Sequence, residues 1–302
     1  MSQANASSIA PATGVGPVHV AVTDADRALM FYEHVLGLRR IGQGEGDEIR
    51  LGAAGKELVV LHPGAAGPVT PHRSGLYHLA IVVPTRRDLA VVIRRLLALR
   101  YPNSPTDHVL TKADYLWDLD GNGIEVYVET PEDGTWLFDE RTGFGARDSL
   151  GRPRSGRDPI DLDALLGELD PADAVDLPLP AGTRMGHVHL HVGHLGDAVD
   201  FYHGLIGFDL MGMSRQGRMA FVSAGGYHHH LGLNTWAGEG APPPPPGTSG
   251  LRRFTIELPT AGDLDAVLER LRAGDVAVEA AGPGYEVLDP SQNIARLVSH
   301  SD

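Results

Sequence analysis

Cysteine is absent from all 302 residues. That excludes disulfides, thiolate zinc sites, iron–sulfur clusters and a thiol nucleophile, so any metal must sit on histidine and carboxylate. Positive charge is also scarce, with 25 Lys and Arg against 39 Asp and Glu, a formal net charge of −14. Nucleic-acid phosphates and anionic lipid reward clustered cations, so neither is an expected partner. No uncharged apolar run approaches the length of a bilayer span, and Met1 to Gly14 lack the basic start and apolar core of a secretory signal. A flexible tail over residues 1–14 and a cytoplasmic location are expected. No Gly-rich phosphate loop, HExxH motif or Ser-His-Asp order occurs.

What is present is an ordinary globular composition, 42% hydrophobic and 21% charged, in a chain long enough for two domains. The informative signal is internal repetition. Gly16 to Leu38 aligns without gaps on Gly186 to Phe208, pairing Val18 with Val188, His19 with His189, Phe31 with Phe201, Tyr32 with Tyr202 and Gly37 with Gly207. In both copies an alternating apolar run leads into a helix-spaced stretch that stops at glycine. A second pair matches Gly75, Leu76, Ile81, Pro84, Asp88 and Leu89 with Gly250, Leu251, Ile256, Pro259, Asp263 and Leu264. Short apolar runs bounded by Gly, Pro and Asn, such as Leu58–Leu61, Tyr115–Trp117, Ile124–Val128 and Leu231–Leu233, read as strands. The expected class is α+β, with four βαβββ modules starting near residues 16, 75, 186 and 250. They group as a first domain over 15–130 and a second over 184–302. Between them, residues 131–183 are rich in Pro, Gly, Asp and Arg, with one helix-like stretch at Leu162–Leu169. This linker is long enough to wrap across the surface.

The repeat, its late Phe-Tyr pair, and the motifs Gly75-Leu-Tyr-His78, Asp120-Gly-Asn-Gly-Ile-Glu125, Gly186-His-Val-His-Leu and Gly226-Tyr-His-His-His-Leu-Gly-Leu-Asn-Thr-Trp236 resemble the vicinal-oxygen-chelate superfamily. Within it they look like the two-domain catechol 2,3-dioxygenases, whose domains are of the glyoxalase/bleomycin-resistance/dioxygenase type. The resemblance implies paired modules forming a cup, with metal ligands on the first and last strands of a module. It also implies Fe(II), ahead of Mn, Zn or Ni, on two His and one Glu, since a facial triad leaves adjacent positions for a catecholate and O₂. A small aromatic diol and O₂ are then the expected partners, and homo-oligomerisation stays open.

His78 falls at the ligand position of a module's first strand, and Glu125 is a carboxylate in an otherwise apolar strand, which is costly unless paired or metal-bound. His187, His189 and His191 alternate along one strand face. Family spacing ahead of Phe201 favours His187, where the first copy has Pro17. In the fourth module Arg253 stands at the His position and, allowing one deletion, Ala295 at the Glu position. A His78, Glu125 and His187 triad then requires modules two and three to share a cup. The competing triad, His19, His78 and Glu125, stays within the first domain. By the same resemblance His230 is the expected acid/base, with Tyr115 and His108 as further catalytic candidates. Trp117, Trp236 and Phe254 are candidates for an aromatic pocket, and Arg94–Arg95 for a solvated helix face. The rival readings are a Zn or Ni lyase of glyoxalase type, with His230 as fourth ligand, and a non-catalytic binder of aromatic compounds.

Overall fold

The computed structural model describes residues 8–44, 46–139, 143–170 and 172–300. The four first strands of the modules run Gly14–Ala21, Gly75–Val82, Arg184–His191 and Gly250–Leu258, close to where the repeat places them. They do not pair in chain order. Gly14–Ala21 lies antiparallel to Gly250–Leu258, so modules one and four build an eight-stranded sheet; Gly75–Val82 lies antiparallel to Arg184–His191, so modules two and three anchor a nine-stranded one. Each first strand also pairs in parallel with the last strand of its own module. A continuous apolar core fills the space between the sheets and their helices.

The Phe-Tyr pair explains how the halves hold together. The helical segment that begins at Ala25, capped by the Asp24 side chain, continues through wider turns to Leu36 and stops at Gly37, which adopts a left-handed φ of 93°. This buries Phe31 and Tyr32 fully. The Tyr32 hydroxyl donates to Asp118 at 3.1 Å, and its repeat partner Tyr202 donates to Asp289 at 3.0 Å. Each aspartate also accepts from an asparagine, Asn122 or Asn293. The tyrosines therefore tie a helix of one module to the turn before the last strand of the next, joining the two sheets through buried, charge-assisted hydrogen bonds.

Three regions differ from the sequence expectation. The described part of the presumed tail is docked: Ile9 is buried and its N–H bonds the Gly207 carbonyl. Arg95 is a buried residue, donating to the carbonyls of Val175 at 2.7 Å and Leu36 at 2.9 Å. A guanidinium can enter the interior when backbone carbonyls satisfy its donors, which helix-face spacing alone does not reveal. The linker carries a three-stranded sheet of Gly134–Asp139, Gly143–Asp148 and Pro153–Arg154, and its helix is the shorter Leu162–Leu166. Trp136 and Phe138 alternate onto one face of that sheet, which packs with Phe144 against Phe221 over the concave side of the nine-stranded sheet. The alternation Trp136-Leu-Phe138 was the available signal.

Candidate metal centre and cavity

Strand pairing alone brings the candidate ligands together. His78 lies opposite His189 on the neighbouring antiparallel strand, two positions along from His187, and Glu125 lies opposite Ala80 on the parallel strand at the other side. Close approach is made possible by Gly123, where a Cβ would come within 2.0 Å of the Tyr77 carbonyl oxygen and 3.2 Å of the His78 Cβ. His78 Nε2 is 3.1 Å from His187 Nε2, and Glu125 Oε2 is 3.1 Å from His78 and 3.2 Å from His187. All three side chains are buried.

The near-equal edges of this triangle are informative. Donors at right angles on metal bonds of about 2.0–2.2 Å lie about 2.8–3.1 Å apart, and tetrahedral donors about 3.3–3.6 Å apart. The observed spacing matches one face of an octahedron more closely, and two imidazoles with one carboxylate are a donor set that fits a divalent transition metal. Burial pushes the Glu125 carboxyl up, but the adjacent His187 and His78 prevail and hold it well below the usual carboxylate range. Burial keeps His187 below the ordinary histidine value, hence neutral, as a ligand must be. The Tyr127 hydroxyl lies 3.4 Å from His187 Nδ1 and 2.6 Å from the Tyr227 hydroxyl, an outer layer that orients the ring.

The cluster forms the floor of a cavity of about 650 Å³. Tyr115 and His108 both line it, His108 Nε2 and the Tyr115 hydroxyl being 2.8 Å apart. His108 Nδ1 donates to the Gly156 carbonyl at 2.6 Å, which leaves Nε2 as the acceptor for Tyr115 in the neutral ring. Trp117 and Trp236 also line the cavity, whereas Phe254 is buried in the other sheet.

His230 is placed elsewhere. Its Nδ1 lies 3.0 Å from Ser223 Oγ and accepts from the Ala224 N–H at 3.1 Å, and the ring does not line the cavity. His228 and His229 do line it. The stretch from Tyr227 to His230 precedes the strand Leu231–Asn234 rather than belonging to it, so strand alternation does not decide which ring faces inward. The His229 ring centre is 4.2 Å from that of His187, and its Nδ1 has no hydrogen-bond partner among the described residues. Burial, then the neighbouring His187 and His228 rings, hold His229 well below the ordinary histidine value. His19 is in the other sheet, its Nδ1 3.0 Å from His62 Nε2, so it does not join His78 and Glu125.

Residues 14–126 and 184–292 match the Glyoxalase/Bleomycin resistance protein/Dioxygenase superfamily, to which the chain belongs. A catechol-2,3-dioxygenase of Bacillus subtilis (strain 168) is 37% identical over 281 residues, 92% of this chain and 94% of that protein. In fold, the chain is similar to a candidate dioxygenase of Bacillus subtilis subsp. subtilis str. 168, with a TM-score of 0.65 at 12% identity over 98% of this chain and 87% of the other. It is also similar to glyoxalase I of Zea mays, with a TM-score of 0.55 at 15% identity over 95% and 93%.

Proposed function

We propose that this chain is an extradiol dioxygenase that opens a catechol-type ring with O₂ at a mononuclear Fe(II) held by His78, Glu125 and His187. The observation that carries the reading is the facial triangle of two imidazoles and one carboxylate on the floor of a cavity walled by aromatic and histidine side chains. The relationship to a catechol-2,3-dioxygenase across nearly the whole chain supports the same reaction. Fe(II) bound there would give the diol and O₂ a shared redox centre on the positions the protein donors leave open.

The chain's own groups supply the proton chemistry. His229, whose Nδ1 has no partner among the described residues and whose ring lies against that of His187, is the group placed to accept a proton from the diol and return it later in the cycle. Tyr115, whose phenol is kept protonated by burial and by the Glu125 carboxylate, donates its O–H to His108 Nε2 and accepts a hydrogen bond from a diol hydroxyl. His108 positions that phenol. The Trp136 and Phe144 sheet limits water above the ring. The ring bond beside the diol breaks, and both atoms of O₂ enter a product carrying a carboxylate and a carbonyl. The lyase rival draws no support from His230, which bonds Ser223 instead of facing the triangle.

Anaerobic purification followed by metal analysis, with oxygen uptake measured on catechol, tests the reading. Iron with one O₂ consumed per ring opened supports it; Zn or Ni without uptake replaces it with the lyase, and no metal with the binder.

A further inference from the structure

Arg157 is the one Lys or Arg among the described residues lining the cavity. Its segment otherwise uses its arginines internally: Arg147 donates to the Gly151 carbonyl, Arg152 pairs with Asp148 and Arg154 with Asp158. The guanidinium of Arg157 makes no such ion pair among the described residues, although the chain carries a large excess of acid. It lies over Trp236, 6.0 Å from the ring centre, and Trp236 is itself fixed by donating from Nε1 to the Gly217 carbonyl at 2.8 Å. Such stacking restricts a flexible cation to one side of the cavity mouth.

The backbone around Arg157 is equally fixed. Its N–H bonds Ser155 Oγ, which bonds Asp158, and the preceding Gly156 carbonyl receives His108. The cation is thus built onto the turn that positions a residue of the reaction site. A cavity of about 650 Å³ lies mid-range for ligands larger than a bare single ring. In a chain of net charge −14, an anionic ligand would be repelled without a local positive group.

We propose that Arg157 binds an anionic substituent on the ring, so that the preferred substrates are catechols bearing an acidic side chain, with a carboxylate as the expected group. This rests on the ring-opening reading of the same cavity. Guanidinium and carboxylate match in a two-pronged hydrogen bond, and the Trp236 face supports the aromatic body beneath it.

The test compares catechol, 4-methylcatechol and 3,4-dihydroxyphenylacetate on the iron-loaded protein and on Arg157→Gln and Arg157→Lys. All three tryptophans of the chain line the cavity, so their fluorescence reports binding under anaerobic conditions, without turnover. The acid is expected to be preferred in kcat/KM by about 10-fold or more, and Arg157→Gln to raise its KM and Kd by about 10–100-fold, with kcat and the uncharged substrates changed less than about 2-fold. Arg157→Lys should restore part of the loss. Equal effects on charged and uncharged ligands, or a wild-type preference for 4-methylcatechol, would overturn the assignment. Failure to cleave any catechol would instead refute the ring-opening reading, and the fluorescence titration would still decide the role of Arg157.

Discussion

The two sheets form one architecture with opposite chemistry. His78 in the nine-stranded sheet corresponds through the repeat to Arg253 in the other, and the two occupy the same place in their strand pairs, opposite His189 and His19. Glu125 lies opposite Ala80, and Arg296 opposite the equivalent Thr255; Tyr115 faces Glu125 as Glu286 faces Arg296. The strand register therefore puts Arg296, not Ala295, at the glutamate position. Pro17 stands for His187. Where one cup gathers donors for a cation, the other carries two guanidiniums with Glu286 and Glu48 at 3.6–3.9 Å. His19, His62 and Glu48 do approach one another there, but Arg253 Nη2 reaches Glu48 at 3.9 Å and competes with a cation for that carboxylate. The cup fold thus provides a frame, and a few side chains on its central strands decide whether a metal can enter.

The largest expected contrast comes from Glu125→Ala, which should abolish turnover and metal retention without unfolding the chain, while Arg296→Ala in the other cup leaves turnover within about 2-fold. Wild-type protein should hold one iron per chain; two per chain, or full iron in Glu125→Ala, would break the comparison.

Next is the histidine run beside the reacting cup. Replacing His229 with Phe is expected to keep the iron and slow turnover by about 10²–10⁴-fold, the range of a lost acid/base group. His230→Phe should act on stability, through the lost bonds to Ser223 and Ala224, with much less effect on kcat. The reverse order in stopped-flow turnover would return the proton role to His230.

Tyr115→Phe removes one hydrogen bond to the bound diol and should lower kcat/KM by about 10-fold, consistent with a bond of about 1–1.5 kcal/mol. No change on any catechol would make the phenol a packing group.

The smallest effect concerns the other cup. Burial, then the neighbouring Arg253, lower the pKa of His19 from 6.5 to about 3. Below the ordinary histidine value the unfolded chain takes up a proton that the folded one refuses, so this contribution to stability is complete above that value and is lost as pH falls towards about 3. His19→Asn should flatten the fall by up to about 1.4 kcal/mol per pH unit. Urea midpoints of both proteins at neutral and mildly acidic pH measure it, and parallel slopes would show that His19 takes up its proton in the folded state.

The modules and their starting strands were legible because repetition and alternation leave a direct trace in sequence, whereas His78, Glu125 and His187 were singled out by the family resemblance, with His19 left as a competitor for His187. Tyr115 and His108 came from the same resemblance; Tyr115 pairs with Glu125 across two antiparallel strands, and His108 lies in the turn that precedes the first of them. In the linker only the Trp136-Leu-Phe138 alternation left a trace in sequence, and the pairing of the three short strands was not legible. Nor was the buried Arg95, whose partners are carbonyls distant in the chain. The run His228, His229 and His230 offers three similar rings, and only the path into the following strand selects the ones that face inward.

By itself, then, the sequence determined what each module is and which side chains each can offer, because local patterning and side-chain chemistry are properties of short segments. Tertiary structure decided which modules meet. Antiparallel pairing of Gly75–Val82 with Arg184–His191 converts residues from separate halves of the chain into one triangle of donors, and pairing of Gly14–Ala21 with Gly250–Leu258 leaves the other cup to its arginines. That choice depends on contacts between segments far apart in the chain, where hydrogen bonding between strands and burial of the shared core outweigh adjacency along it.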